Sequence, residues 1–167
     1  MTRLGRSLSV FIVALLTTFA VTACDEHTAV STFRSFPETG WERTDTVVVQ
    51  LDSLAAAGRY VGTVHVRLST AHPYPFQELL IAVERDLMLA GDSLQALRDT
   101  TIDTLKIVTA SDRGDYVGRG ISVLEYAAEP FMVDLPAGTS GRFCVRHLMT
   151  RTPLEGIREV GLTLRRD

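Results

Sequence analysis

Cys24 is the residue with the most distinctive chemical setting, because it closes the segment VTAC at 21–24. An apolar residue, two small residues and a cysteine, in that order, form the lipobox of bacterial lipoproteins. The small residues fit the narrow site of the signal peptidase, and the cysteine sulfur is the nucleophile that accepts a diacylglyceryl group. The pattern therefore predicts that Cys24 becomes the lipidated first residue of the mature chain. The alternative is an ordinary secretory cleavage site, which needs small residues but no cysteine.

The other groups that could do chemistry do not form a recognisable site. The four histidines, at 27, 65, 72 and 147, show none of the HxH, HExxH or CxxC-type spacings that hold a metal. Asp112 and Asp115, together with Asp103, supply too few oxygens for an EF-hand loop. Nucleophile and phosphate-binding patterns such as GxSxG and the P-loop are missing from the sequence. The sequence therefore predicts no catalytic residue, no metal, no cofactor and no enzymatic activity.

Two further residues lie in the apolar segment FCVRHLM at 143–149. Cys144 is the only cysteine left once Cys24 is acylated, so we expect no intrachain disulfide. In a strand of this composition, Cys144 is predicted to be a small buried residue. His147 falls on the apolar face of the same strand and is expected to be a hydrogen-bonded core histidine.

A contact surface would be expected to contain aromatic and arginine side chains, because these dominate the energetics of interfaces. Trp41, Tyr74, Tyr116 and Arg119 are the candidates. For Trp41 and Tyr74 the alternative is packing in the core or at a strand entry. The tripeptide RGD at 113–115 is interpreted as part of a turn, since glycine between polar residues is typical of hairpin turns.

Composition limits the classes of protein to which this chain can belong. It has 167 residues, enough for one domain with a substantial core and too few for two ordinary domains. Hydrophobic residues make up 46% and charged residues 22%, a globular balance. The net charge is −3 and there is no block of basic residues, which argues against a nucleic-acid partner.

The segment before Cys24 has the features of a secretory signal. Arg3 and Arg6 form a positive start, and an apolar run of 11 residues follows at 10–20. A spanning helix needs about 20 apolar residues, so residues 1–23 are predicted to be a removed signal peptide and not a membrane anchor. Several acyl chains on Cys24, palmitate among them, would then hold the protein at a membrane, since each buried CH₂ contributes about 0.8 kcal/mol.

Residues 24–40 carry no hydrophobic period and end in Pro37 and Gly40. They are interpreted as a lipidated cysteine followed by a flexible tether, with a reach of at most about 55 Å. The folded domain is predicted to occupy residues 41–167.

From residue 41 onward the dominant hydrophobic period is two, which is typical of half-buried strands. Turn signals rich in glycine, proline and aspartate separate the apolar runs. Strands of this kind must bury their apolar faces against one another, so we predict an antiparallel, jelly-roll-like β-sandwich of about eight strands. The clearest runs lie at 47–51, 63–68, 79–83, 105–107, 131–135, 143–149 and 160–164. The segment 87–98 is ambiguous between a short helix and the tip of a long hairpin.

Several short segments, in order, resemble those of the gliding-motility lipoprotein GldH family of Bacteroidota. After the lipobox they are WERTD (41–45), RY (59–60), VR (66–67), HPYPFQEL (72–79), RDT (98–100), DRGDYVGRG (112–120), HLMTR (147–151), LEGI (154–157) and EVGL (159–162). The resemblance covers residues 33–167. It is carried by the order and spacing of these segments and by no single motif.

The resemblance implies a non-enzymatic accessory lipoprotein of the gliding machinery, which in these bacteria is coupled to type IX secretion. Its partners would be the membrane, through the lipid on Cys24, and other proteins of that machinery. Neither a nucleic acid nor a small-molecule substrate is expected. The expected location is the cell envelope, with the outer membrane favoured over the inner.

A carbohydrate-binding jelly roll at the cell surface is the alternative function. It would need two or three coplanar aromatic rings on one exposed face. Aromatic residues make up 7% of the chain, and most fall at positions predicted to face the core.

Overall fold

The computed structural model describes residues 27–89 and 97–167, which form nine β-strands. The strands are β1 (Thr28–Ser35), β2 (Val47–Leu51), β3 (Gly58–Ser69), β4 (Glu78–Leu89), β5 (Leu97–Val108), β6 (Val123–Ala127), β7 (Phe131–Leu135), β8 (Ser140–His147) and β9 (Ile157–Arg166). Several of these strands show a two-residue alternation of buried and more exposed side chains. In β2 and β7, for example, every second side chain is buried.

The chain pairs as one long antiparallel hairpin folded over on itself. Strand β1 pairs with β9, β2 with β8, β3 with β6 and β7, and β4 with β5. Pairing of β3 with β9 and of β4 with β8 then joins these pairs into two sheets. One sheet has the order β1-β9-β3-β6, with β7 also on β3, and the other has the order β2-β8-β4-β5. This arrangement confirms the predicted jelly-roll-like β-sandwich.

The two sheets bury their inner faces against each other. Each fully buried leucine, valine or phenylalanine contributes about 1.5–3 kcal/mol relative to an exposed one, so this layer is the main source of stability. The largest fully buried side chains include Trp41, Tyr74, Phe143, Leu68, Leu79, Ile81, Leu87, Leu154, Ile157, Leu162 and Leu164.

The seven apolar runs found in the sequence coincide with or overlap observed strands, and two strands were not predicted. One is β6, which continues end to end into β7 along the same edge of β3. The two together act as a single interrupted strand, which accounts for nine strands where about eight were expected.

The two ends of the segment 87–98 lie in the paired strands β4 and β5, whose pairing extends to Leu89 opposite Leu97. The hairpin-tip interpretation is therefore confirmed for the paired residues. Residues 90–96 lie outside the described residues.

The second unpredicted strand, β1, corrects the proposed tether. Residues 28–35 pair with β9 from end to end, with one irregularity between Thr28 and Val30, so they belong to the domain and are not a flexible linker. Two-residue alternation is weak in β1 because both of its faces are partly exposed. The domain therefore begins at Thr28 or earlier, and the domain boundary at residue 41 was wrong.

The strand directions sort the loops between two ends of the sandwich. Thr28 at the start of β1 lies opposite Arg165 near the end of β9, whereas Ser35 lies opposite Glu159 near its start. The loops at the Ser35 end, called the distal loops here, are 36–46, 70–77, 109–122 and 148–156. The chain thus enters the domain at the end opposite the distal loops.

Hydrogen exchange tests whether β1 is part of the domain. We expect the β1 amides that bond to β9 to exchange at least about a hundredfold more slowly than in a free peptide of the same sequence, because they open only when the edge strand detaches. The measurement is amide exchange followed by mass spectrometry of the full-length protein. Free-peptide rates throughout 28–35 would contradict the pairing.

Candidate interaction surface

Outward-facing residues of five adjacent segments form a line across the first sheet, close to the distal loops. Ser35 of β1 lies opposite Glu159 of β9. On the other side of β9, Glu159 lies opposite Arg67 of β3. Arg67 in turn lies opposite Glu125 of β6. A single bridge then pairs Glu125 with Arg119 in the β5–β6 loop. We call these five residues the charge row. Register alone brings them together, because facing residues of paired strands point to the same side of the sheet.

Arg67 is the centre of the charge row because it binds two carboxylates. Its Nη1 lies 2.6 Å from Glu159 Oε2, and its Nε lies 3.0 Å from Glu125 Oε2. Ser35 Oγ donates to the other oxygen of Glu159 at 3.1 Å. The hydrogen bond from Arg67 holds the pKa of Glu159 below its ordinary value. Glu159 is therefore ionised at neutral pH and fully engaged within the row.

His65 and Phe33 complete the network beside Arg67. His65 Nδ1 lies 3.5 Å from Glu125 Oε1, and Nε2 lies 3.1 Å from Thr163 Oγ1. Burial lowers the pKa of His65 and outweighs the opposing effect of Glu125, so the ring is neutral at pH 7. The Arg67 guanidinium lies over the Phe33 ring, with Cζ 4.6 Å from its centroid. Phe33 is thereby covered although it points outward.

The β5–β6 loop is held firmly over β6, and two glycines make this possible. A Cβ at Gly118 would lie 2.4 Å from the Tyr126 ring, so only glycine allows the loop to cross this ring. Gly120 has φ +134° and sits against the Val123 carbonyl. Tyr116 Oη donates to the carbonyl of Tyr74 at 3.0 Å. The loop therefore presents Arg119 from a fixed backbone.

Earlier in the same loop, the residues at 112–115 form the predicted turn, with Gly114 at φ +85°.

Two open depressions flank the charge row, and both are lined by Arg119 and Glu125. The first, of about 670 Å³, also includes Phe36, Glu38 and Arg158 among its lining residues, and the second, of about 740 Å³, includes His65, Val108 and Tyr126. Exposed apolar side chains surround Arg119: Ile121 is 95% exposed, Val117 53% and Val123 38%. This combination of a cation, apolar side chains and shallow hollows is suited to contact with another molecule.

Trp41 and Tyr74 do not contribute to this surface, which corrects two of the four surface candidates. Trp41 is fully buried, packs on Phe36 and His147, and donates from Nε1 to the Asp45 carbonyl at 2.6 Å. Tyr74 is buried and donates from its hydroxyl to the Glu78 carbonyl at 3.1 Å. Both rings could enter the core because a nearby carbonyl accepts their polar hydrogen.

Tyr116 and Arg119 are exposed at the distal end, as the surface prediction requires. Arg119 pairs with Glu125 at the end of the charge row, which continues to Arg67 and Glu159. Sequence reasoning missed Glu125, Arg67 and Glu159. No local signal marks that trio, because an outward polar residue in a strand is ordinary. Cys24, the predicted lipid-attachment residue, lies outside the described residues.

The segments that suggested the family meet at the distal end. The backbones of Trp41 and Leu154 pair, and Arg43 Nη2 donates to the carbonyls of Met149 and Thr150. A Cβ at Gly156 would lie 2.7 Å from the Tyr74 nitrogen. WERTD, HPYPFQEL and LEGI are therefore parts of one packed assembly and do not act as separate motifs.

Two residues of strand β8 differ in their surroundings. Cys144 is free and half-buried on the outer face of the second sheet, opposite Val48 and Glu84, so the expectation of a core cysteine was wrong. Burial raises the pKa of its thiol. His147 lies in the core as predicted, but neither ring nitrogen has a hydrogen-bond partner among the described residues. The described residues also contain no group of three or more histidine, cysteine, aspartate or glutamate residues that could hold a metal.

The fold and this surface together define a β-sandwich domain whose outer face carries an ordered row of charges between two open depressions. The sequence model of the GldH lipoprotein family matches residues 28–164, and the chain belongs to this family. The match begins at the first residue of β1, in agreement with the corrected boundary. A search among curated proteins finds no significant match to the chain.

Family membership makes the protein a lipoprotein related to gliding motility and associated with a membrane of the cell envelope. The family is one of accessory lipoproteins and is not a known enzyme family. Within the described ranges, no helix is both long and apolar enough to cross a membrane.

Replacement of Arg67 by methionine tests the charge row. We expect Arg67→Met to lower the free energy of unfolding at pH 7 by about 1 kcal/mol, because two carboxylates lose a shared but partly exposed partner. This loss should be smaller at acidic pH. The pKa of Glu159 is lower in the folded chain than in the unfolded chain, so its ionised form stabilises the fold at pH values above the ordinary carboxylate pKa. This contribution to stability disappears as the pH falls through the folded pKa. Urea unfolding between pH 7 and pH 3.5 measures both effects.

Arg59→Met is the matched control, because the ion pair of Arg59 with Asp134 is highly exposed and its loss should change stability little. Equal effects of the two substitutions would contradict the central role of Arg67.

The buried His147 predicts a second pH effect. Burial lowers its pKa; Arg43 acts in the same direction, while Glu42 and the nearby backbone of Trp41 and Met149 oppose it more weakly. The unfolded chain therefore binds this proton more readily, so stability is complete above pH 6.5 and falls as the pH drops below it. His147→Leu should reduce the loss of stability between pH 7 and pH 5, measured by urea unfolding. The pKa of His65 is also lowered, so part of the decrease in stability with falling pH should remain in His147→Leu. A pH dependence of stability equal to that of the wild type would contradict the prediction.

Proposed function

We propose that this protein is a lipid-anchored, non-enzymatic accessory component of the gliding motility machinery, which is coupled to type IX secretion. The observation that carries the proposal is the match of residues 28–164 to the GldH lipoprotein family, together with the lipobox that ends at Cys24. The anchor would be the lipidated thiol of Cys24 after removal of residues 1–23, and the outer membrane is favoured over the inner.

Strand order supports a definite orientation at that membrane. Four residue steps separate Cys24 from Thr28, so the link reaches at most about 14 Å, far less than a tether extending to residue 40. The eight residues of β1 then lead away from the anchored end over about 26 Å. The domain would stand close to the membrane with the distal loops directed away from it.

This geometry supports a role in contact. Anchoring raises the local concentration of the domain near other envelope proteins, so a weak intrinsic affinity suffices for association. Within the charge row, Arg67 neutralises Glu125 and Glu159, and the adjoining His65 is neutral and bonded. Such a surface is suited to recognition and lacks the activated group that acid–base catalysis needs.

The sugar-binding alternative finds little support. It requires several exposed aromatic rings on one face, and among the residues whose side chains are described Tyr116 is the one exposed aromatic. Phe33 points outward but lies beneath Arg67.

Gene deletion tests the role in the machinery. We expect the deletion strain to lose colony spreading and to secrete less through the type IX system, and the wild-type gene to restore both. Cys24→Ala should fail to restore them, because the domain is no longer held at the membrane. Normal spreading and secretion in the deletion strain would refute the proposal, and full rescue by Cys24→Ala would refute the need for the anchor.

Metabolic labelling with palmitate tests the anchor itself. Label should be incorporated into the wild-type protein and into Cys144→Ala, the matched control that removes the other cysteine, but not into Cys24→Ala. Mass spectrometry of the mature N-terminus should detect acylated Cys24; an unmodified thiol there would contradict the assignment.

A further inference from the structure

Arg119 is the one charged member of the charge row for which the described residues supply no counter-ion. Of the three arginines lining the first depression, Arg67 binds Glu125 and Glu159, and Arg158 lies 3.7 Å from Glu38. Among the described residues, no carboxylate lies within ion-pair distance of Arg119. Its backbone is nevertheless fixed, with hydrogen bonds in both directions to Glu125 at 3.0 and 2.8 Å.

The neighbouring carboxylate is already occupied. Glu125 uses Oε2 for Arg67 and directs Oε1 toward His65. The guanidinium of Arg119 is therefore available to a carboxylate of another molecule. Its planar geometry suits a bidentate pair of hydrogen bonds to that carboxylate.

The surroundings of Arg119 indicate what else the occupant must provide. Val117, Ile121 and Val123 expose apolar surface around the cation, most of all Ile121. A free organic acid would leave these side chains in water, whereas a polypeptide with apolar residues beside its carboxylate would cover them. The depressions on either side of Arg119 can receive such flanking side chains. Because the loop is already ordered by Tyr116 and Gly118, binding requires little further ordering.

We propose that the Arg119 patch, formed by Val117, Arg119, Ile121 and Val123, docks an acidic segment of another envelope protein in which apolar residues flank the carboxylate. This inference rests on the proposed function, which directs the distal end away from the membrane and toward partners. Arg119 would form a salt bridge with the carboxylate of the segment, and the three apolar side chains would form the part of the interface from which water is excluded.

Photo-crosslinking in living cells tests the proposal on the full-length protein. A benzoylphenylalanine replaces Val117, within the patch, or Met132, an exposed residue of β7 far from it. Mass spectrometry identifies the crosslinked peptide. We expect a crosslink from position 117, but not from 132, to a peptide of another protein that has aspartate or glutamate beside apolar residues.

Matched substitutions then separate charge from apolar contact. Arg119→Glu should lower the yield of the crosslink at least about tenfold, because charge reversal brings two like charges together at the contact. Ile121→Asp should lower it similarly. Arg146→Glu, on the outer face of the other sheet, and Met132→Asp should leave the yield within about twofold. Since Arg119 and Ile121 are exposed, the thermal unfolding of these variants should match the wild type. Replacement of the partner's acidic residue by lysine should restore the crosslink to Arg119→Glu.

A crosslink that is insensitive to Arg119→Glu would overturn the inference. A crosslink to a second copy of this chain, a partner peptide without an acidic residue, no crosslink at position 117, or failure of the charge exchange to restore it would also do so. These outcomes can be distinguished from failure of the proposed function. A deletion strain that spreads and secretes normally refutes the proposed function. If the deletion strain is defective but the crosslink does not depend on Arg119, only the docking site is refuted.

Discussion

The antiparallel pairing of β1 with β9 is the constraint on which the rest of the molecule depends. It brings the beginning and the end of the domain together and closes the long folded hairpin. It also places Ser35 and Phe33 on the outer face of the first sheet, where they contact Glu159 and Arg67. Because the direction of β1 is fixed by this pairing, the end at which the chain enters the domain lies opposite the distal loops. The orientation proposed for the anchored protein follows from this single pairing.

The charge row shows how a solvated sheet face can have a specific shape without contributing much to stability. Partly exposed ion pairs are worth little individually, and the pairs of Arg67 with Glu125 and Glu159 belong to this class. Their value lies in geometry, since one guanidinium fixes two carboxylates and a phenyl ring in a defined arrangement. With those charges satisfied internally, Arg119 remains at the end of the row as the group that is open to an external partner.

The fold could be predicted from the sequence to the extent that it depends on local alternation. The strands with one buried and one exposed face, such as β2 and β7, were found because period two is visible within five residues. Strand β1 was missed because both of its faces are partly exposed, and β6 because it is a short edge strand with a single buried side chain, Tyr126. Trp41 and Tyr74 lie among loop residues, and their burial depends on carbonyls that accept their polar hydrogens, which composition does not reveal.

By itself, the sequence determined the all-β class, the sites of several turns, the lipobox and the family, because each of these depends on neighbouring residues or on the order of short segments. The tertiary structure alone decided which outward-facing residues meet. Ser35 and Glu159 are 124 positions apart, and Arg67 is 92 positions from Glu159 and 58 from Glu125. Contacts at such separations are set by strand register, and register depends on how all the strands pack together and not on any one segment.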